Sequence, residues 1–201
     1  MDALHVCLLV AVTWAIVGLA AQVLIARGGG RREFSRPAGR GVSGVLYNFT
    51  VAMLPGHKES TRLHPAEFVA GILLHLGVLG ALVMVGVLAA GATSAVLVWL
   101  RMLAGLGAAA AIALLLRRLC SPLMRALSTP DDYLAVLATC GLLVLAALAA
   151  GNVLLAYTAL FLVYLPLGKL RHAVFFFVAR ADYGRRLGYR GVYPPARVEA
   201  D

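Results

Sequence analysis

The sequence predicts an all-α integral membrane protein, a five-helix bundle with its N-terminus outside and its C-terminus in the cytoplasm. Three observations predict it. Hydrophobic residues make up 62% of the 201 residues and charged ones only 13%, whereas a soluble domain carries roughly 45–50% apolar residues. The apolar residues gather into five runs, at 3–25, 66–90, 94–116, 133–150 and 153–179, each near the ~20 helical residues that cross a hydrocarbon core. All but one of the cations, Arg101, fall in three regions. Seven of the 18 Lys and Arg residues fall in 26–65, three in 117–132 and seven from Lys169 onward.

By the positive-inside rule those three basic regions are cytoplasmic and the N-terminus faces out. The net charge of +9 is therefore a topology signal and not the footprint of a nucleic-acid partner. The runs lack barrel alternation, so their backbone polar groups must be satisfied within helices. The expected organisation is a first transmembrane helix at 1–25, a basic cytoplasmic loop with a short interfacial segment at 26–65, a four-helix membrane core at 66–180 and a cytoplasmic tail at 181–201. Such a chain is a multi-pass protein of the cell inner (cytoplasmic) membrane.

Helix one, Ala3 to Leu24, has its cations after the apolar run and none before it, so it is expected to be an uncleaved span and not a signal peptide. His5 lies near its outer end, where hydration makes a histidine cheap. The following RGGGRREFSRPAGRGVSG is a Gly- and Arg-rich loop suited to an anionic membrane surface. Val45 to Leu54 is apolar but too short to span, and is expected to lie along the interface or pack under the bundle.

Helix two opens at Pro65, where a first-turn proline costs nothing, with Glu67 at the positive end of the dipole. His75 lies ten residues further on, about 15 Å along the helix, within Leu74, Leu76, Gly77 and Gly80. Small residues there let a flat macrocycle or another helix come close. His64 falls on the same face but precedes the proline and belongs to the membrane surface. A turn near Gly91 to Ser94 leads to helix three, where Arg101 either snorkels outward or holds a quinone oxygen or a propionate. Its Ala- and Gly-rich stretch, Gly105 to Ala113, is packing surface.

Ser128, Thr129 and Pro130 announce helix four, and the dipole accounts for Asp131 and Asp132 in its first turn. Helix five, 153–179, is expected to be long, with a kink at Pro166, and carries Lys169, Arg171 and His172. Cys7, Cys120 and Cys140 form no metal or haem-attachment spacing and read as small thiols.

An ionisable side chain within a membrane-grade segment is usually kept for a function. Counted back from Arg180, His172 lies about 12 Å from the cytoplasmic end of helix five, a depth similar to that of His75 on the antiparallel helix two. Two such histidines can hold one iron between them as axial ligands, which predicts one bis-histidine haem b on His75 and His172. Lys169, Arg171 or cations of the basic loop are the candidates to neutralise its propionates. The alternative is that each histidine bonds to a neighbouring helix.

Three blocks carry a family resemblance: His75-Leu76-Gly77-Val78-Leu79-Gly80 on helix two, the basic run Leu114 to Arg125 after helix three, and Pro166 to His172, PLGKLRH, on helix five. Together they resemble the gamma subunit of respiratory nitrate reductase and the related membrane cytochrome b subunits of heterodisulfide-reductase-like complexes, over about residues 66–180. The resemblance implies a quinone-linked cytochrome b anchor that passes electrons between menaquinone or ubiquinone and a cytoplasmic-side iron–sulfur subunit. It also implies that the subunit alone makes and breaks no substrate bonds. Where that family has the ligands of an outer haem, this chain has Val85 and Leu154, so the resemblance implies a single haem. The tail looks more like the heterodisulfide-reductase-like branch, so nitrate is not implied as substrate. The competing expectations are a haem-free anchor or assembly subunit and, less favoured because no inverted repeat or discontinuous helix pair is evident, a small-molecule transporter.

Overall fold

A computed structural model describes residues 2–29, 41–57, 59–92, 95–148 and 151–187. Among them every regular element is helical: α1 (Ala3–Gly28), α2 (Gly41–Phe49), α3 (Glu59–Leu63), α4 (Pro65–Ala89), α5 (Val96–Cys120), α6 (Pro122–Leu127), α7 (Pro130–Ala147), α8 (Asn152–Tyr164) and α9 (His172–Leu187). Short 3₁₀ turns lie at Val51–Met53, Pro55–His57 and Lys169–Arg171. Four helices, α1, α4, α5 and α7, are long and apolar enough to cross a membrane. The pair of α8 and the segment from Lys169, bent by 82° at the break between them, makes a fifth only if the two are counted together as one span.

That break corrects the expectation of one helix over 153–179. Pro166 has no N–H to continue the ladder and disfavours helical backbone before it, and the chain responds by ending α8 altogether. The Leu165 N–H still bonds the Phe161 carbonyl, after which the Leu167 and Gly168 amides converge on the single Tyr164 carbonyl, so the ladder advances no further. The Val163 carbonyl, left without its helical donor, accepts the Trp14 indole N–H at 3.1 Å. Backbone groups freed in an apolar medium must find such partners. Gly18 lets α1 lie against Pro166, since a Cβ there would come within 3.1 Å of the proline's Cβ.

The chain divides into two compact units, residues 1–19 with 66–171, and residues 20–65 with 172–201. The boundary at 171/172 thus falls inside the stretch expected to form one core. In the first unit Met84, Leu142, Leu143, Leu154 and Thr158 are fully buried. The hydroxyls of Thr139 and Thr158 donate to carbonyls one turn back, Ala135 and Leu154, at 2.8 and 2.7 Å, so neither is left bare in the apolar interior. Helices α4 and α5 meet at Gly77 and Gly107, where a Cβ on Gly77 would lie 2.7 Å from the Gly107 Cα. Gly91, at φ +66°, closes α4: its own N–H returns to Leu88 and that of Ala92 to Val87, the paired bonds of a Schellman stop.

The second unit is built on an antiparallel pair, α2 and α9. Gly184 packs so tightly on Gly44 and Val45 that a Cβ would come within 2.6 Å of their backbone. One turn along, the Arg180 guanidinium donates to the Asn48 carbonyl at 2.9 Å and lies over the Phe176 ring. At the far end Phe49 stacks on Phe177, with ring centroids 6.0 Å apart.

Candidate functional site

His75 sits in the middle of α4, and its outward placement follows from helical periodicity. Gly77, Gly80, Ala81 and Met84 form the buried face of α4; His75, two residues before Gly77 and so about 200° around the helix from it, lies on the exposed side. Its Nδ1 donates to the Gly71 carbonyl at 2.6 Å. A carbonyl can only accept, so the bond places the proton on Nδ1 and, in the neutral ring, the lone pair on Nε2. A backbone carbonyl holding the other nitrogen is the usual support of a metal-ligating imidazole.

Gly77 is used differently. The space a side chain would occupy is taken by Gly107 and by the Leu143 side chain, so of the two expectations for this glycine, the close approach of another helix is the one the first unit displays. His172 opens α9 and belongs to the second unit, so its pairing with His75 is not a relationship within either unit. The helix from His172 to Arg180 is continuous, but the break before it means that distance along α9 no longer measures depth along one straight fifth helix.

Lys169 and Arg171 also part company. The Lys169 ammonium lies 2.5 Å from Asp132 Oδ2, while Arg171, in the same 3₁₀ turn, is exposed. Lys169 is one corner of a polar network at the basic end of the first unit. Asp132 accepts the Thr129 N–H at 2.8 Å across the start of α7, and Arg118 reaches both Asp132, at 3.7 Å, and the Ser128 hydroxyl, at 2.7 Å. Asp131 binds the Tyr164 hydroxyl at 2.5 Å and the Lys169 backbone amide at 2.9 Å. Glu67 pairs with Arg117 at 3.1 Å. The starts of α4 and α7 and the ends of α5 and α8 therefore lie at one end of this unit, an up-and-down arrangement.

Helix-dipole compensation, the role expected of the two aspartates, is thus only part of what they do. Tyr164 and Trp14 were not singled out from the sequence, although one signal for Tyr164 was present. It stands four residues before Gly168, where a Cβ would overlap its ring. His64 is exposed just ahead of α4, and Arg101 is exposed on α5. His5 pairs with Asp2, whose carboxylate also caps the α1 N-terminus through the His5 amide at 3.0 Å. These bonds hold the Asp2 carboxyl below the usual carboxylate range.

Among the described residues no group of three or more His, Cys, Asp or Glu gathers as a bare-ion site. A bis-histidine haem needs none, because the macrocycle brings four of the six donors. Compared with known protein families, curated proteins and solved structures, the chain has no match.

Proposed function

We propose that the chain is a membrane cytochrome b subunit of a quinone-linked redox complex, akin to the respiratory nitrate reductase gamma subunit. In this reading it holds one b-type haem on His75 and His172 and hands electrons between the quinone pool and an iron–sulfur partner on the cytoplasmic side of the inner membrane. The observation that carries this reading is the bond from His75 Nδ1 to the Gly71 carbonyl at 2.6 Å. It orients an imidazole on the outward face of an apolar helix with Nε2 as its ligating nitrogen, where an ordinary apolar residue would suffice for packing or lipid contact.

The donor chemistry of His75 fits a haem. Bound there, the haem would supply the one-electron step. The chain's own part is to fix the ligand tautomer through Gly71 and to offer Arg171 as an exposed cation for carboxylates, while Lys169 serves Asp132. The purified protein should show a b-type α band on reduction with dithionite. His75→Ala and His172→Ala should each abolish the band, and His64→Ala should leave it in place. A colourless wild-type protein after expression with added haem precursor overturns the reading.

A haem-free anchor is the second reading, favoured by the use of Gly77 for contact with α5. It predicts the same colourless protein together with unchanged assembly in His75→Ala.

A further inference from the structure

In the second unit, α2 presents two opposed faces. One, at Gly44 and Asn48, is buried, with Gly44 against α9. The other carries Val42 and Leu46, which are 78% and 61% exposed. They stand one turn apart and about 200° from Gly44 and Asn48, respectively on the side away from the packed face. The whole helix, GVSGVLYNF, has no charged residue. Nine residues make about 13 Å of helix, too short to cross a core of about 30 Å. An uncharged, apolar outer face on so short a helix needs an apolar cover that it does not have to span.

Charge indicates which cover. In sequence, 20–65 and 172–201 together hold twelve Lys and Arg against five Asp and Glu, +7 of the chain's +9. Arg180, Arg185 and Arg186 all lie on α9, the helix on which α2 is mounted. A short apolar face carried by a strongly basic stretch of sequence matches the boundary between acyl chains and anionic headgroups, whereas a strongly basic protein partner would be repelled. We propose that α2 is an in-plane membrane-surface helix that inserts Val42 and Leu46 into the acyl boundary of an anionic leaflet, with exposed cations of the basic segments, Arg185 among them, toward the phosphates. This rests on the membrane character of the chain and not on haem binding, so the spectrum described above can fail while it stands.

The test uses the full-length protein, with its three native cysteines replaced and its helicity checked, in nanodiscs of phosphatidylcholine with or without phosphatidylglycerol. Spin labels at Val42→Cys and Leu46→Cys should be relaxed strongly by oxygen and weakly by an aqueous nickel chelate, with a label at Arg185→Cys showing the reverse. Removing phosphatidylglycerol, or making Arg185→Gln with Arg186→Gln, should raise nickel accessibility at residue 46 severalfold. Labels at 42 and 46 as open to nickel as the one at 185 overturn the proposal. Labels shielded from both reagents also overturn it, since they place protein on this face. Accessibility that ignores lipid charge and the arginine changes overturns the anionic-leaflet assignment.

Discussion

The carboxylate of Asp131, at the start of α7, accepts the backbone N–H of Lys169 at 2.9 Å across 38 residues of sequence. It joins the first turn of one span to the break that ends the next. Its other oxygen takes the Tyr164 hydroxyl at 2.5 Å, and Gly168 gives the Tyr164 ring room to lie over the turn. A helix interrupted by proline alone is free to choose its new direction; this one is held on both sides of the interruption.

Asp131→Ala should therefore lower stability by about 2–3 kcal/mol, the range for losing hydrogen bonds to a charged group, and Tyr164→Phe by about 1 kcal/mol. Because both changes act on one contact, the double variant should fall short of their sum by about 1 kcal/mol. Thermal unfolding in detergent, followed by circular dichroism, measures all three. An Asp131→Ala protein that melts with the wild type would show that the bonds hold nothing.

The contact between Gly77 and Gly107 makes a sharper contrast. A Cβ on either would meet the other's Cα at 2.7–2.8 Å, and backbone atoms cannot swing aside. Gly77→Ala should force α4 and α5 apart and cost about 1–3 kcal/mol, the usual penalty of overpacking. Gly86, on the same helix, has nothing within 4 Å of its Cβ position. Gly86→Ala should instead stabilise by about 0.5–1 kcal/mol through helix propensity. Equal effects from the two substitutions would refute the close approach.

The spans themselves were legible because a membrane-length apolar run bounded by cations has few other structural solutions. Pro65, Gly91 and Pro130 marked helix ends for local reasons, and the structure uses each as expected. Pro166 shows where local reasoning stops. A proline specifies that a helix bends or ends, but which of the two happens here depends on Trp14, Asp131 and Tyr164, which are remote in sequence. The same distance hid the role of Lys169: beside Arg171 and His172 it looked like a cation for propionates, and its partner lies 37 residues upstream. For His75 the sequence carried the residue and its place along the helix, while the bond to Gly71 that sets its tautomer emerged only with the side chains in place.

Trp14 offers a test of how the broken span is made tolerable in lipid. Its indole supplies the donor that the Val163 carbonyl lost to the break. Trp14→Phe keeps an aromatic ring and removes only that donor, so it should cost about 1 kcal/mol, at the upper middle of values for hydrogen bonds between membrane helices. Trp99, a residue 68% exposed, serves as the control, and Trp99→Phe should leave the unfolding midpoint unchanged. Identical behaviour of the two variants would remove the indole from the account of the break.

Lys169 distinguishes a propionate ligand from a partner for Asp132. Its side chain is 44% exposed, so solvent screens the pair with Asp132 and Lys169→Gln should cost only about 0.5 kcal/mol. Asp132→Asn should cost more, about 1 kcal/mol, because the carboxylate also accepts the Thr129 amide at the start of α7 and a neutral amide oxygen is a weaker acceptor there. Once Asp132 is neutral, Lys169 has little left to stabilise, and the double variant should melt close to Asp132→Asn alone. Molar salt should shrink the effect of Lys169→Gln while leaving the cap untouched. In the proposed cytochrome, haem content of the Lys169→Gln protein should match the wild type, whereas loss of most of the b-type band in that variant would return Lys169 to the cofactor.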